Sequence, residues 1–173
     1  MMKKLMIVSA IAMTMAAGSA TASQGDIQFF GNVSEVTCDV TPEVDGSIVN
    51  MIQLGTVKKN SAGEEISLIF KATDPSGGEC ASLASGKTAS VAWSGNLTAD
   101  GIGAQGGLAQ DAYVVLKPVN GQDSNKITST DHVADFAAEN VTNGNGLQFT
   151  AQLQGGDTAG DFQAAAAYAV TYK

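Results

Sequence analysis

The sequence of 173 residues contains no arginine, so all nine of its basic residues are lysine. Arginine is the side chain that most often binds phosphate groups and guanine edges through two parallel hydrogen bonds. The chain also carries a formal net charge of −8 at pH 7. An acidic chain without arginine repels polyanions, and nucleic acid and anionic membrane surfaces are therefore poor candidate partners.

Apolar runs long enough to span a bilayer are absent from the sequence. The longest apolar stretch, residues 5–17, follows Lys3 and Lys4 and precedes an Ala-Thr-Ala sequence at residues 20–22. A basic start, a short apolar core and small residues around a cleavage point are typical of a secretory signal peptide. We therefore expect residues 1–22 to be removed during export, which leaves one domain that begins at Ser23.

Cysteine is scarce, and Cys38 and Cys80 are the only two. Exported chains form disulfides in oxidising compartments, so one bond between these two residues is the expected state. A bond that closes so long a loop restricts the unfolded chain and stabilises the fold by roughly 4 kcal/mol. Two buried free thiols are the alternative, and the export signal argues against them.

Side chains for catalysis are also few. His132 is the only histidine, and it follows Asp131 in a polar stretch, where a loop position is expected rather than the base of a catalytic triad. With both cysteines oxidised, the ligands of the usual zinc sites are missing. Acidic pairs such as Glu64 with Glu65 lack the buried, opposed setting that acid–base catalysis requires. The sequence predicts no enzyme, no metal site and no cofactor.

Helical periodicity is almost absent after the signal peptide. Short alternating or apolar runs are separated by clusters of Gly, Asn, Asp and Ser, which is the pattern of an all-β sandwich. One turn is expected over Pro42 and Asp45-Gly46, a polar loop at 58–65, and an exposed glycine-rich loop at 96–111. The predicted strands cover residues 23–30, 32–40, 48–57 (as one strand or two), 66–72, 88–94, 112–119, 147–153 and 160–173, and segment 133–140 fits either a strand or a short helix.

Strict alternation predicts which side chains enter the core. The tryptophan at position 93 is the only one in the chain, and we expect it to fill the core. The alternating apolar sets are Ile66, Leu68 and Phe70; Ala89, Val91 and Trp93; and Leu147, Phe149, Ala151 and Leu153.

The last fourteen residues, 160–173, are predicted to form one strand with one face on a core. Their alternating apolar positions are Phe162, Ala164, Ala166, Tyr168, Val170 and Tyr172. No later segment follows in this sequence, so we expect a sheet edge that another chain covers.

A second alternating segment lies directly after the expected cleavage point. Gly25, Ile27 and Phe29 share one face of a strand predicted over residues 23–30. This segment lies outside the disulfide loop and is therefore a candidate to cover the last strand of another copy. Strand addition at a sheet edge, repeated head to tail, builds a fibre rather than a closed oligomer.

A set of motifs spread over the exported chain matches those of one known family. The most specific are the glycine that begins the last fourteen residues, Gly160, and the penultimate tyrosine, Tyr172. The other matching pieces span the exported chain: Gly31-Asn32-Val33 leading to Cys38, Ile52-Gln53-Leu54-Gly55-Thr56-Val57, Cys80, Val91-Ala92-Trp93-Ser94-Gly95, Phe149-Thr150-Ala151-Gln152-Leu153 and Tyr168-Ala169-Val170-Thr171-Tyr172.

With these motifs the chain resembles the major pilin subunits of chaperone–usher fimbriae. The resemblance implies an incomplete immunoglobulin-like sandwich of six strands, which a donor strand from another subunit completes. In that family a periplasmic chaperone first lends a strand to the groove, and the N-terminal extension of the next subunit replaces it at the outer-membrane usher. Carried over, residues 23–31 are the donor extension, with Gly25, Ile27 and Phe29 facing the groove, and residues 32–173 are the pilin domain. The implied acceptor groove and chaperone- and usher-binding edge consist of Gly160, Phe162, Tyr168, Val170, Tyr172 and Lys173.

The implied function is that of a structural major subunit of an extracellular fimbria that attaches bacteria to host cells. The expected partners are identical subunits in a head-to-tail polymer, the chaperone and the usher, with a tip adhesin and host glycans as further candidates. The alternatives are a minor or adhesive fimbrial subunit, and a secreted carbohydrate-binding module that uses Trp93, Tyr113 and the loop at 96–111. The second alternative differs in having a complete sandwich, for which residues 23–30 of another copy are not needed.

Overall fold

The alternating segments of the sequence fold into two facing antiparallel sheets. The structure, a computed structural model, describes residues 38–83 and 86–173. The predicted signal peptide and donor extension lie outside the described residues. The described elements are β1 (Val40–Val44), β2 (Ser47–Ile48), β3 (Ala62–Ala72), β4 (Thr88–Gly95), β5 (Ile102–Gly103), β6 (Gly106–Gly107), β7 (Tyr113–Pro118), β8 (Val133–Ala137), β9 (Leu147–Gln154), β10 (Phe162–Gln163) and β11 (Ala166–Tyr172), with 3₁₀ helices at Cys80–Ser82 and Ala138–Val141.

The larger sheet has six strands in the order β2-β1-β3-β9-β7-β5, and the smaller has three in the order β11-β4-β8. A separate two-stranded ribbon joins β10 to β6. All of these pairs are antiparallel. None of the described helices is long and apolar enough to cross a membrane.

The core lies between the two sheets, where the predicted alternation is confirmed. On β4 the side chains of Ala89, Val91 and Trp93 are buried, and on β9 every second residue from Leu147 to Leu153 is buried. Aromatic rings from both sheets meet at the centre, with Phe149 of β9 placed 5.4 Å from Trp93 of β4 in an edge-to-face arrangement. Such contacts add about 0.5–1.5 kcal/mol each to the free energy gained by burial alone.

The predicted disulfide is present and joins Cys38 to Cys80 across 42 positions of sequence. The hydroxyl of Tyr172, on the last strand, donates a hydrogen bond of 2.9 Å to the carbonyl oxygen of Cys38. Burial, assisted by the negative charge of Asp39, raises the pKa of Tyr172 to about 12. The end of the chain is therefore fastened beside the disulfide at the edge of the core.

The last fourteen residues form two strands instead of the single strand predicted. β10 pairs with β6, whereas β11 pairs with β4. The chain changes partner at Ala164 and Ala165, where the backbone N–H of Ala165 donates to the side-chain oxygen of Gln105 at 2.9 Å. Ala164 is exposed. The alternating apolar residues of this stretch therefore belong to two different strand pairs, and they do not form one continuous buried face.

The prediction of strand structure over residues 48–57 is wrong beyond Ile48. β2 ends there, and residues 49–57 belong to none of the strands that the structure describes. Ile52 and Leu54 nevertheless pack, partly buried, against the core. The alternation thus marks which side chains face the core, although no neighbouring strand in the described part of the chain supplies a ladder.

The turn predicted over Pro42 and Asp45-Gly46 is present but shorter than expected, because Pro42 lies inside β1 opposite Phe70. The carbonyl oxygen of Pro42 accepts a hydrogen bond of 3.0 Å from the N–H of Val49. The turn itself is made by Asp45 and Gly46, whose φ angles of 51° and 76° are those of a tight two-residue hairpin.

Two loop predictions also need revision, and one segment left open between strand and helix is resolved. β3 begins at Ala62, so the expected polar loop at 58–65 is shorter than predicted. The glycine-rich segment 96–111 contains the short strands β5 and β6, and its residues 101–104 are buried rather than exposed. Segment 133–140, left open between strand and helix, contains β8 and then turns into a 3₁₀ helix.

Candidate functional site: an open groove beside the last strand

Strand β11 lies at the edge of the three-stranded sheet, and among the described residues it pairs with β4 alone. Just beyond this ladder, Lys173 and Thr88 exchange backbone hydrogen bonds of 2.8 and 2.9 Å. Because hydrogen-bonded pairs alternate along an antiparallel ladder, the backbone N–H and C=O groups of Ala166, Tyr168 and Val170 point away from β4. This edge therefore presents backbone donors and acceptors to a further strand.

An apolar groove opens next to this edge, between the two sheets. Its larger part has a cavity volume of about 790 Å³. Core side chains from both sheets reach it, including Trp93 of β4 and Leu68 and Leu116 of the six-stranded sheet. The remaining lining comes from residues 50–54, Ile102, Val114, Ala151 and residues 162–166. The groove therefore reaches the core of the sandwich, where Leu68, Trp93 and Leu116 are themselves buried.

A second cavity of about 460 Å³ continues the groove toward the loop that follows β9. Four residues line both cavities: Ile52, Gln53, Leu54 and Phe162. The two cavities are therefore neighbouring parts of one groove. Segment 50–59 contributes to one side along its length, and segment 158–166 contributes to the other.

Trp93 is part of the groove and is 6% exposed. Its indole Nε1 is the buried side-chain polar atom that has no hydrogen-bond partner within the described residues. Buried donors without a partner are uncommon in folded proteins. This burial also removes Trp93 as an exposed platform for sugar, the role it had in the carbohydrate-binding alternative.

The loop over residues 155–161 forms a wall of the smaller cavity, and the carboxylate of Asp111 holds it from outside. The backbone N–H groups of Asp157 and Thr158 donate to this carboxylate at 2.6 and 3.1 Å. Partial desolvation raises the pKa of the Asp111 carboxyl. The two hydrogen bonds from Asp157 and Thr158, a third from the N–H of Asp111 itself and a fourth from the Thr158 side chain outweigh this effect and hold the pKa below its usual value.

The predicted acceptor residues divide into two groups. Gly160 and Phe162 line the groove. Tyr168 is 36% exposed and its ring packs at a tilt against Phe70, with ring centroids 4.6 Å apart, while Val170 is partly buried against the core. Farther along, Tyr172 is buried, and the exposed Lys173 has its ammonium group 3.7 Å from Asp135. None of these last four lines either cavity, although Tyr168 and Val170 lie on the open edge of β11.

Sequence reasoning did not assign segment 50–59 to the groove. The signal was the alternation of Ile52 and Leu54, which was interpreted only as a strand and as part of a family motif. An alternating segment that pairs with no strand in the described structure is a candidate for pairing with a strand from outside. The donor residues Gly25, Ile27 and Phe29 lie outside the described residues.

The described residues contain no group of three or more His, Cys, Asp or Glu side chains placed to bind a metal ion. His132 is exposed, and its backbone carbonyl accepts a hydrogen bond from the N–H of Trp93. The groove is lined mainly by apolar side chains and bordered by backbone hydrogen-bonding groups. That arrangement suits an extended peptide segment.

The sequence is 51% identical over 173 residues to the F107 fimbrial protein of Escherichia coli, with 99% of this chain and all of that protein covered. The chain belongs to the fimbrial proteins. This fimbrial subunit is also 29% identical to the major MR/P fimbria protein of Proteus mirabilis (strain HI4320) and 27% identical to the K99 fimbrial protein of Escherichia coli, with 99% of each chain covered in both comparisons.

The fold of the fimbrial subunit agrees with that family. It is similar to the crystal structure of the P pilus rod subunit PapA, with a TM-score of 0.50, 17% sequence identity, and coverage of 87% of this chain and 100% of PapA. No family model matches the sequence. The sequence motifs also resemble the major subunit of the F18 fimbriae of enterotoxigenic Escherichia coli, and that narrower assignment stays a prediction.

Proposed function

We propose that this structural fimbrial subunit polymerises by strand exchange, with residues 23–31 of one copy filling the groove of the next. The observation that carries the proposal is the apolar groove beside β11, which reaches Leu68, Trp93 and Leu116 in the core. Each large apolar side chain of the donor that enters the groove, such as Ile27 or Phe29, leaves water and stabilises the joint by roughly 1.5–3 kcal/mol. Residues 32–173 would then be the acceptor domain.

The donor segment suits this groove in both of its chemical properties. Its alternating residues Gly25, Ile27 and Phe29 would face the apolar floor. Its backbone would pair with the outward-facing groups of Tyr168 and Val170, as in other cases of strand addition to a sheet edge. Apolar burial would supply most of the affinity, and the backbone ladder would set the register.

The same open groove explains why the subunit would need partners before it polymerises. An exposed groove and sheet edge favour aggregation, so a periplasmic chaperone would cover them until an outer-membrane usher brings the next subunit. The chaperone would hold the terminal carboxylate of Lys173, which lies at the end of β11. Residues 1–22 would be removed on export to the periplasm. Assembly at the outer membrane would then place the finished polymer outside the cell, together with any tip adhesin, where it can contact host glycans.

The test is a pair of substitutions of the donor segment in the full chain. Ile27→Asp or Phe29→Asp would place a charge against the apolar floor, which is strongly unfavourable without a partner. We expect these variants to form no long fibres in electron micrographs of cells that secrete them. Gln28→Asp, on the opposite face of the same strand, is the matched control and should polymerise. Fibres of normal length from Ile27→Asp and Phe29→Asp would contradict the donor assignment.

A further inference from the structure

One wall of the smaller cavity is a glycine-rich loop, whose backbone does not favour a single conformation by itself. The loop over 155–161 contains three glycines, Gly155, Gly156 and Gly160, and it leads into Phe162, which lines both parts of the groove. Glycine-rich backbone has high conformational entropy when free. Something outside the loop must therefore order it before it can form one defined wall.

Three residues outside the loop hold its first half: Asn60, Ser61 and Asp111. The carbonyl oxygen of Ser61 accepts the backbone N–H of Gly155 at 2.9 Å. Asn60, in the turn before β3, donates from its side-chain amide to Asp157 at 2.7 Å, and its backbone N–H donates to the carbonyl of Gly156 at 3.1 Å. Asp111, which precedes β7, accepts the backbone N–H groups of Asp157 and Thr158 on its carboxylate.

Close packing shows that the Asp111 contact is specific. A Cβ atom placed on Gly156 would lie 2.5 Å from Cγ of Asp111, so only glycine at 156 lets the carboxylate reach the two N–H groups. Asp111 is itself exposed, and its side chain lines neither cavity. It therefore acts on the groove only through the loop that it holds.

We infer that Asp111 is a positioning residue for strand capture, because its carboxylate holds the loop over 155–161 in the shape of the groove wall. The inference rests on the proposed function, since it concerns the same groove and the same incoming strand. A wall ordered in advance costs less entropy to close on a ligand than a mobile wall does. The lowered pKa of the carboxyl agrees with a carboxylate held by several donors.

The test uses the full exported length, residues 23–173, carrying Ile27→Asp and Phe29→Asp so that it cannot donate its own strand. We refer to this protein as the strand-deficient chain. A fluorescent peptide of residues 23–31 is titrated against it and followed by anisotropy. Asp111→Ala should weaken peptide binding roughly tenfold, since loss of hydrogen bonds to a charged group has effects of this order. Its far-ultraviolet circular dichroism without peptide should match that of the parent, which shows that the sandwich is still folded.

Asp111→Asn keeps a carbonyl oxygen that accepts the same N–H groups, so it should restore most of the affinity. Asp123→Ala is the matched control, because the exposed Asp123 likewise accepts a backbone N–H, that of Asn125 at 3.1 Å, but lines neither cavity. It should bind the peptide like the parent.

Three results would overturn the inference while the parent still binds peptide. They are affinity for Asp111→Ala within twofold of the parent, binding by Asp111→Asn as weak as by Asp111→Ala, and a loss of affinity in Asp111→Ala that comes with loss of the folded circular dichroism spectrum without peptide. A parent that does not bind the peptide at all would instead contradict the proposed function, and the inference with it.

Discussion

At the scale of single residues, Tyr172 shows how the last strand is tied to the core. Its side chain is 4% exposed, and its hydroxyl reaches the carbonyl of Cys38 beside the disulfide. A neutral hydroxyl in this position satisfies the carbonyl, whereas an ionised one would place a charge in an apolar setting near the carboxylate of Asp39. The residue therefore fastens the end of the chain only while it stays protonated.

Tyr172→Phe removes this hydrogen bond and should lower the free energy of unfolding by about 1 kcal/mol, the usual net value of one buried hydrogen bond. The measurement is chemical denaturation at neutral pH. Tyr113→Phe, which changes a half-buried tyrosine on β7, is the control for loss of a hydroxyl elsewhere. Equal stability of wild type and Tyr172→Phe would show that the contact contributes nothing.

The raised pKa of Tyr172 also predicts a response to alkaline pH. The unfolded chain ionises near pH 10, whereas the folded chain keeps its proton until about pH 12. The contribution of Tyr172 to stability is therefore complete below pH 10 and is lost as the pH rises toward 12. Denaturation curves between pH 9 and 12 should show this fall in the wild type and in Tyr113→Phe. A fall of the same size in Tyr172→Phe would assign it to other groups.

At the scale of strands, alternation in the sequence predicts burial better than it predicts pairing. β4 and β9 agree with the prediction because each pairs with a strand on both sides. In these two strands the residues that alternate into the core also belong to one continuous ladder. Residues 160–173 alternate just as regularly, yet they split between two partners, since Phe162 meets Gly107 and Ala166 meets Gly95. Pairing depends on residues that are distant in sequence, which a local period does not contain.

The candidate site was predictable to the same extent. The last strand and its open edge follow from the sequence pattern and from the family resemblance. The opposite side of the groove does not, because Ile52 and Leu54 are recognisable as groove residues only once the structure shows them beside Phe162. The role of Asp111 depends on hydrogen bonds to backbone N–H groups more than forty residues away, which no local pattern predicts.

The open edge of β11 can be tested one amide at a time. In the strand-deficient chain alone, the N–H groups of Tyr168 and Val170 should exchange with solvent faster than those of Ala169 and Thr171, which face β4. Binding of the peptide 23–31 should slow exchange at Tyr168 and Val170 roughly tenfold or more, because hydrogen-bonded amides exchange only on opening. NMR hydrogen exchange is the measurement. Unchanged exchange at both residues with peptide bound would contradict the proposed pairing.

At the scale of the whole molecule, the described residues form a sandwich with an apolar groove that reaches its core from one side. The groove shares its floor with the central core, so whatever fills it also completes the core. A joint of this kind opens only if the whole apolar groove is exposed again at once, and it should therefore be long-lived once formed. A single subunit with an empty groove should by contrast be only marginally stable.

The most direct test of the account is the thermal unfolding of the strand-deficient chain with and without the peptide of residues 23–31. A ligand present at a thousand times its dissociation constant stabilises a protein by about 4.1 kcal/mol. For a domain of this size we expect the midpoint to rise by roughly 10 °C. A peptide with Ile27→Asp should give no rise. An unchanged midpoint with the wild-type peptide would mean that the sandwich is already complete, and that its subunits assemble by another route.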